Sequence, residues 1–290
     1  MVFAVRFIIT MNLETRNSIL SSGIRVCPLC GRDNTAAAPH HYSRHIWLLK
    51  RCSECGMLYL ENPPAYASLE DELAWEKTYT AESHARRKRN WLLYHAGRAP
   101  KALWQRLFKR DKLIYWVRRY FTVGPILDVG CAGGHTFERL PTDFIPYGIE
   151  ISAELSRSAQ QRFASRGGHV VQSDAISGLR RFDAGFFNGV VMTSFLEHEM
   201  DPRGALDAAG RVLHPRGRLI VKVPNYASWN RVVRGRLWCG FRFPDHVNYF
   251  TPRLLGSLLE LTGFKLLRFG ISEHLPTSDN MWALAERARK

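Results

Sequence analysis

Apolar runs of strand length alternate with amphipathic segments of helix length from Gly124 to the end of the chain. The apolar runs predict strands at 126–130, 145–150, 169–174, 186–193, 218–223 and 264–269. The amphipathic segments predict helices at 153–166, 203–213, 251–262 and 279–289. Strands that alternate with helices are typical of a parallel sheet with crossover connections. The pattern therefore predicts an α/β fold built on a doubly wound, mostly parallel sheet.

Three consecutive predicted strands end at or beside a carboxylate. Asp128, Glu150 and Asp174 occupy these positions. The carboxyl ends of parallel strands meet at one edge of a doubly wound sheet, where ligands bind. One acid at a strand end is often only a cap or turn residue. Three at one edge indicate a ligand that carries hydroxyl or amino donors.

A glycine-rich turn follows the first of these strands, and a helix is predicted to begin after it. The turn contains Gly130, Ala132 and Gly134. Small residues let a ligand approach the backbone closely, and free N–H groups at a helix start point into such a site. The dinucleotide pattern G-x-G-x-x-G is incomplete, because Ala132 and His135 replace its second and third glycines. From the turn alone, a dinucleotide site and an ordinary strand–turn–helix connection both remain open.

Two Cys-x-x-Cys pairs precede this region, and each is followed by a glycine. Tight turns of this kind aim two thiolates at one point, and four thiolates at such spacings fit a tetrahedral Zn²⁺ site. Such a closed site is structural, because it leaves no open position for chemistry. Histidines between the pairs offer alternative ligands (His40, His41 and His45), but four sulfurs are preferred because both pairs are complete. The predicted zinc ligands are Cys27, Cys30, Cys52 and Cys55.

Length and composition limit the class of protein. The 290 residues suffice for one α/β domain and a small module, and a hydrophobic content of 46% argues against disorder. The paired cysteines favour metal ligands in a reducing compartment over disulfides. A formal net charge of +15 is compatible with nucleic acid, anionic lipid or a phosphorylated substrate, and does not choose among them.

Most of the excess positive charge lies at 84–119, where aromatic and aliphatic residues recur at helical spacings. This segment predicts two amphipathic helices divided near 97–100. One interpretation is a pair of linker helices with a solvated basic face. The other is a surface for a polyanion, for membrane phosphates at a peripheral contact, or for a phosphate-bearing substrate.

The apolar stretch at 1–10 is too short to span a bilayer and lacks the features of a signal peptide, and Met11 is an alternative start. We therefore expect a cytoplasmic protein without a transmembrane segment. The predicted organisation is a tail at 1–24, a zinc ribbon at 25–65, a basic aromatic helical linker at 66–122 and an α/β domain at 123–290. Within that domain, an insertion at 225–250 is predicted to form a substrate lid.

The segment 126–134, with its leading acid Asp128, resembles motif I of the class I S-adenosylmethionine-dependent methyltransferases. The usual form of that motif is acid-x-Gly-x-Gly-x-Gly, and Ala132 here replaces the middle glycine. The resemblance extends to a bacterial subgroup with a Leu-Glu-His motif after the fourth strand. Its shared motifs here are 196–198, 201–202, 211–217 (where Arg216 replaces a glycine), 224–225 and 245–252. An N-terminal ribbon ahead of such a domain is a known arrangement, so the resemblance covers roughly 25–65 and 124–270.

The resemblance implies a Rossmann-like fold, S-adenosylmethionine as cofactor and a role for each matching residue. Gly130, Ala132 and Gly134 would hold the methionine end through the backbone, with Asp128 near its amino-acid group. Glu150 would accept bonds from the ribose hydroxyls, and Asp174 from the adenine amino group. His198 is the candidate general base, and Glu197 would orient it or act as the base itself. The ordinary interpretation is that Glu197 and His198 only pack and hydrogen-bond in the loop.

The predicted lid at 225–250 is rich in aromatic residues and arginines. An insertion after the fifth strand normally covers the acceptor side of this fold, so the predicted substrate residues are Asn225, His246 and Tyr249. Stacking rings and guanidinium groups suit a sugar that carries phosphates. An apolar cover with solvated arginines is an equally good interpretation. The candidate arginines are Arg231, Arg234, Arg236 and Arg242.

The sequence therefore predicts a methyltransferase acting on a small-molecule acceptor, with a phosphorylated or sugar-linked compound, such as a glycan precursor, as the favoured class. One alternative is an RNA methyltransferase that binds nucleic acid through the ribbon and the basic segment. No Asn-Pro-Pro-Tyr-type motif for a flipped base follows the fourth strand, which argues against it. The other alternative is a non-catalytic scaffold that retains the fold, and affinity for S-adenosylmethionine separates it from both enzymes.

Overall fold

A computed structural model of the chain describes residues 24–64 and 111–288. The described residues divide into two compact units, and the larger contains Ile24–Pro63 and Val117–Lys290. Residues 1–23 of the predicted tail at 1–24 and most of the basic segment at 84–119 lie outside the described residues. Within the described part, no helix is long and apolar enough to cross a bilayer.

The strands form two sheets within the larger unit. Seven strands make the main sheet, in the order β5-β4-β3-β6-β7-β10-β9, and three make a small sheet, in the order β1-β2-β8. The ten strands are β1 Leu49–Arg51, β2 Leu58–Leu60, β3 Gly124–Val129, β4 Phe144–Glu150, β5 Val170–Gln172, β6 Phe187–Thr193, β7 Leu213–Pro224, β8 Asn248–Tyr249, β9 Phe264–Arg268 and β10 Asn280–Arg287.

Strands β3 to β7 of the main sheet are parallel, and β10 runs antiparallel between β7 and β9. The connections between the parallel strands carry the helices, as the alternating pattern predicts. The helices are α1 Lys112–Tyr120, α2 His135–Glu138, α3 Ala153–Ala164, α4 Ala175–Arg180, α5 Pro202–Val212, α6 Trp229–Arg234 and α7 Pro252–Leu261. This is a Rossmann-like α/β fold with a mostly parallel sheet.

Two predicted helix starts are confirmed by their caps. The Asp201 carboxylate accepts a hydrogen bond from the backbone N–H of Gly204, and Pro202 occupies the first turn of α5. The Thr251 hydroxyl oxygen accepts a hydrogen bond from the backbone N–H of Leu254 at the start of α7. Both caps satisfy N–H groups that a helix start leaves without partners.

The helix predicted at 279–289 is wrong, because these residues form the strand β10. Alanine, leucine and glutamate favour a helix locally, but β10 pairs with β7 along one side and β9 along the other. Met281, Ala283 and Ala285 are buried in the sheet that results. Pairing and burial in the sheet therefore override the local helix preference.

Strand β7 is also longer than the predicted 218–223. Residues 215–217 lie at an irregularity inside the strand, because Phe187 of β6 pairs with Leu213 whereas Gly189 pairs with Arg218. The extra residues between the two pairings bulge out of the ladder.

The small sheet joins the cysteine-containing segment to the α/β domain. Strand β8, which belongs to the predicted lid, pairs antiparallel with β2. The Arg25 guanidinium adds hydrogen bonds to the backbone oxygens of Leu60 and Met200 and to the side chain of Asn248. The ribbon and the lid are thus parts of one hydrogen-bonded structure.

Candidate functional site

The glycine-rich turn after β3 has three residues in the left-handed region of backbone conformation. Gly130, Ala132 and Gly134 have φ values of 74°, 47° and 79°. Helix α2 begins directly after Gly134. A Cβ atom on Gly134 would lie 2.9 Å from Cε1 of Phe163 and 3.1 Å from the Cα of Ala159. The turn therefore packs against α3 with no space for a side chain at this position.

We expect Gly134→Ala to lower the free energy of unfolding by about 1–3 kcal/mol more than Gly167→Ala does. Gly167 is the matched control, because its φ is also positive, at 74°, but no atom of the described residues lies within 4 Å of the position that a Cβ would take there. Urea unfolding of both variants measures the difference. Equal losses would show that backbone conformation, and not close packing on α3, requires glycine at 134.

Glu150, at the end of β4, ties this turn to the neighbouring strand. Its Oε2 accepts a hydrogen bond from the backbone N–H of Ala132 at 2.9 Å, and its Oε1 accepts one from that of Ser152 at 3.0 Å. A carboxylate has about four acceptor positions. These two bonds fix the carboxylate beside the turn, and its predicted role toward ribose hydroxyls stays a prediction.

Asp128 is buried at the end of β3, and its Oδ1 has no hydrogen-bond partner in the described part of the chain. Burial, and then the negative charge of Glu150, raise the pKa of this carboxyl well above its usual value. A buried carboxylate oxygen without a donor is costly unless a ligand supplies one. The amino group of a bound methionine moiety would supply it.

Asp174 follows β5, the next strand at the same edge. Its Oδ1 accepts a hydrogen bond from the backbone N–H of Ser177 at 2.9 Å and caps helix α4. Burial works to raise the pKa of Asp174, but hydrogen bonds from Ser177 and the adjacent backbone lower it overall. The structure thus gives Asp174 a capping role, and its predicted contact with adenine stays a prediction.

Glu197 lies in the loop after β6 and is almost fully buried, with 1% of its surface exposed. Its Oε2 has no hydrogen-bond partner among the described residues. Burial raises the pKa of this carboxyl to about 8, against the opposing effects of its own backbone, Lys222 and Arg242. At neutral pH the side chain is therefore mainly protonated.

His198 lies beside Glu197 and faces the lid. Its Nδ1 donates a hydrogen bond to the backbone oxygen of Asp245 at 2.8 Å, which leaves the lone pair on Nε2. Burial, and then the charge of Arg242, lower the pKa of the imidazole to about 4. His198 is therefore neutral at physiological pH and able to accept a proton.

His246 of the lid packs edge-on against His198, with ring centroids 4.7 Å apart. Its Nδ1 donates to the backbone oxygen of Gly240 at 2.8 Å. One nitrogen of each histidine and a carboxylate oxygen of Glu197 lie within 4.8 Å of one another. The structure thus brings together two predicted catalytic residues and one predicted substrate residue.

The four cysteine sulfurs also come together. Cys27 and Cys55 have their Sγ atoms 3.5 Å apart, as do Cys30 and Cys52, and all four lie within 4.8 Å of one another. A tetrahedral zinc site with Zn–S bonds of about 2.3 Å has sulfur–sulfur edges of about 3.8 Å. The cluster therefore fits a zinc ribbon, and within the described residues no histidine joins it.

Comparison with known families decides the identity of the larger unit. A family described as a methyltransferase domain matches residues 83–268, which is more than half of the chain.

The chain belongs to this methyltransferase family.

Together with the Rossmann-like sheet, this makes it a class I S-adenosylmethionine-dependent methyltransferase.

The curated relative and two solved structures to which the chain is similar are methyltransferases by name. The methyltransferase is 32% identical over 102 residues to a ubiquinone biosynthesis O-methyltransferase of Xylella fastidiosa, and the match covers 34% of this chain and 42% of the relative. The chain thus spans about two fifths of the length of that curated relative.

Solved structures with similar folds include a SAM dependent methyltransferase from Archaeoglobus fulgidus, with 17% identity, a TM-score of 0.47 and coverage of 65% of this chain and 100% of that one. Another is an S-adenosylmethionine-dependent methyltransferase from Clostridium acetobutylicum, with 13% identity, a TM-score of 0.49 and coverage of 65% and 98%.

The other predicted substrate residues of the methyltransferase differ in their surroundings. The Asn225 side chain is buried and accepts a hydrogen bond from the backbone N–H of Ala227 at 3.0 Å, so it shapes the turn after β7. The Tyr249 hydroxyl is buried and has no partner in the described part of the chain. Burial, and then the charge of Asp245, raise the pKa of Tyr249 well above its usual value. Tyr249 is therefore a neutral donor that a ligand could satisfy.

The lid of the methyltransferase is an aromatic cluster. The Phe241 ring lies 5.3 Å from Tyr249, 5.4 Å from Trp238 and 6.1 Å from Tyr226, measured between centroids. The ribbon adds Tyr42, whose ring is 4.7 Å from that of Phe241. Sequence reasoning missed Tyr42, because it lies between the cysteine pairs and carries no periodic signal.

At least three of the lid arginines are engaged within the protein, and Arg236 donates to the backbone oxygen of His41. Arg242 forms an ion pair with Asp245 at 3.0 Å, and both side chains are largely buried. The Arg231 guanidinium lies over the Tyr226 ring, 4.6 Å from its centroid. Arg242 thus supports the Asp245 segment that holds His198. The sequence predicted a phosphate contact for Arg242 and did not predict this supporting role.

Proposed function

We propose that this methyltransferase transfers a methyl group to a hydroxyl oxygen of a small-molecule acceptor, with a sugar-linked compound or glycan precursor as the favoured class. The observation that carries the proposal is a pair of buried polar groups without partners among the described residues, Glu197 Oε2 and the Tyr249 hydroxyl, on the His198 side of the site. Unpartnered buried groups favour a ligand with hydroxyls. The name of the Xylella relative, an O-methyltransferase, agrees with transfer to oxygen.

The sheet edge would hold the cofactor through the residues that the resemblance assigns. Asp128 offers an unpartnered carboxylate oxygen for the amino group. Glu150, at the end of β4, would accept from the ribose hydroxyls, and Gly130 and Gly134 keep the turn free of side chains. When bound, S-adenosylmethionine supplies a methyl group on a sulfonium, so the protein mainly positions the acceptor oxygen in line with it.

His198 would accept the proton that the acceptor hydroxyl loses. As the acceptor oxygen takes the methyl group that the bound cofactor would supply, its hydroxyl proton would pass to Nε2 of His198. The carbonyl of Asp245 holds the imidazole by its Nδ1 proton during the transfer. Glu197, protonated at neutral pH, would donate a hydrogen bond to the acceptor oxygen and help to orient it.

We further propose that Cys27, Cys30, Cys52 and Cys55 hold a structural Zn²⁺. A closed four-sulfur site offers no open position for a substrate. Its contribution is therefore to fold the ribbon, and through β2 to hold β8 beside the Glu197 loop.

Transfer of radiolabelled methyl groups to a panel of acceptors tests the proposed function. The panel contains nucleotide sugars, phenols and ribosomal RNA, with S-adenosylmethionine as donor. We expect label in a sugar-linked acceptor, recovered as a methyl ether. Label in phenols alone or RNA alone would overturn the proposed acceptor. Calorimetry that shows no binding of S-adenosylmethionine to zinc-loaded protein would overturn the enzyme and favour the scaffold.

A further inference from the structure

Two guanidinium groups, one from the ribbon and one from the lid, converge on Tyr226. The Arg231 guanidinium stacks on the Tyr226 ring, 4.6 Å from its centroid, and its Nε donates to the backbone oxygen of Tyr226 at 2.9 Å. Arg51, at the end of β1, lies near enough to Tyr226 for its charge to act on that side chain. The two charges also act together on His40, whose pKa is lowered by burial, by His41 and then by Arg51 and Arg231.

Within the described part of the chain, no acid neutralises these two arginines. Among residues 24–64 and 111–288, neither Arg51 nor Arg231 has a carboxylate oxygen within 4.0 Å. By contrast, Arg242 of the same lid forms an ion pair with Asp245. Two positive charges that act on the same side chains without a carboxylate partner favour binding of an anion between them.

Hydroxyl donors and a second ribbon–lid contact surround the two arginines. The Tyr42 and Tyr226 rings both pack near Phe241, with centroids 4.7 Å and 6.1 Å from it, so two phenol side chains belong to this cluster. Arg236 of the lid donates a hydrogen bond to the backbone oxygen of His41, which holds this part of the ribbon against the lid. We call Tyr42, Arg51, Tyr226 and Arg231 the ribbon–lid seam.

The seam is continuous with the acceptor side of the site. The Tyr226 ring lies 6.1 Å from that of Tyr249, whose hydroxyl is buried without a partner among the described residues. An acceptor with its hydroxyl at His198 could therefore extend past Tyr249 to the seam. Guanidinium groups bind phosphate oxygens by paired, charge-assisted hydrogen bonds, and tyrosine hydroxyls add further donors.

We propose that the ribbon–lid seam is a binding site for a phosphate or diphosphate ester on the acceptor. This rests on the proposed function for the identity of the acceptor, but binding of the phosphate group can be measured without turnover. The seam also gives the ribbon a direct part in recognition, because Arg51 and Tyr42 belong to it.

Calorimetry of the full, zinc-loaded chain with pyrophosphate and with uridine diphosphate tests the seam. We expect saturable binding of both, and a loss of about tenfold in affinity for each of Arg51→Gln and Arg231→Gln. Arg51→Lys keeps the charge without the forked donors and should lose less. Arg32→Gln in the ribbon and Arg216→Gln in β7 are the controls, because both arginines are exposed away from the seam. Unfolding temperatures confirm that the variants fold.

The outcomes separate the seam from the proposed reaction. Binding of pyrophosphate that depends on Arg51 and Arg231 supports the seam even if every sugar acceptor fails in the turnover panel. Turnover of a sugar acceptor whose KM is unchanged by both substitutions overturns the seam and leaves the proposed reaction intact. Equal losses in the control variants, no saturable binding, or binding of an RNA oligonucleotide that uridine diphosphate does not displace would also overturn it.

Discussion

Replacing His198 by alanine is expected to lower kcat by about 10²–10³-fold while the dissociation constant for S-adenosylmethionine stays unchanged. The imidazole is neutral, and its Nδ1 is held by the backbone oxygen of Asp245, so its Nε2 is a proton acceptor beside Glu197 that needs no prior ionisation. Steady-state kinetics with the acceptor found in the panel measures kcat, and calorimetry measures cofactor affinity.

The pH profile distinguishes His198 from Glu197 as the base. The pKa of His198 is about 4, so the proton-accepting form is complete above that pH and the rate should not rise near the ordinary histidine pKa of 6.5. The pKa of Glu197 is about 8, so its protonated form is lost above that pH and the rate should then fall. A rate that instead rises through pH 8 would identify ionised Glu197 as the base.

His169→Ala is the control for the His198 substitution, because His169 is exposed before β5 and away from the lid. It should keep the kcat of the unmodified protein. Near-normal turnover in both His198→Ala and Glu197→Ala, with cofactor affinity retained, would show that these side chains only pack and hydrogen-bond in the loop.

The acidic edge of the main sheet was predictable from the sequence, because the position of each acid depends only on the strand that leads to it. Asp128, Glu150 and Asp174 lie at or just beyond the end of a strand, and a parallel sheet brings such ends to one edge. The cysteine pairs were predictable for a similar reason, since each pair forms within one short turn. In both cases the spacing along the chain determines the spacing in the structure.

The acceptor side was less predictable because its contacts join distant segments. Tyr42 meets Phe241 across the ribbon and the lid, and Asp245 meets His198 across the lid and the β6 loop. The partner of each residue depends on how β8 pairs with β2, which no local pattern encodes. The strand β10 was missed for the same reason, because its two partners β7 and β9 override its helix-favouring composition.

The pKa values of Glu197 and His198 also required the structure. Adjacent residues in the sequence would be expected to share an environment and to form an ion pair at neutral pH. Burial instead raises the pKa of the acid and lowers that of the base, so both are neutral. Because both groups are neutral, the Nε2 lone pair of His198 is open at neutral pH, although its lowered pKa makes it a weaker base than a free imidazole.

Loss of the ribbon metal is expected to have the second large effect, on turnover more than on cofactor binding. We expect Cys52→Ser to lose zinc, to lower the unfolding temperature and to reduce kcat by about 10²-fold, since small misplacements of reacting groups are that costly. Structural zinc contributes about 10–16 kcal/mol of apparent binding free energy in zinc-finger peptides, so the ribbon should not stay folded without it. Metal analysis, thermal unfolding and kinetics measure the three effects.

Because of the hydrogen bonds around β8, we expect that loss of the ribbon zinc also displaces the loop that carries Glu197. The backbone N–H of Leu60 in the ribbon donates to the oxygen of Val247, and the N–H groups of Val247 and Asn248 both donate to the oxygen of Glu197. The ribbon therefore holds one side of a strand whose other side holds the Glu197 loop. The proposed cofactor edge at Asp128 and Glu150 belongs to the main sheet and not to the small sheet of β8, so affinity for S-adenosylmethionine should change little. Glu54→Gln, an exposed change between Cys52 and Cys55, is the matched control and should keep zinc and turnover. A zinc-free Cys52→Ser protein with full turnover would show that residues 245–249 keep their position without the ribbon.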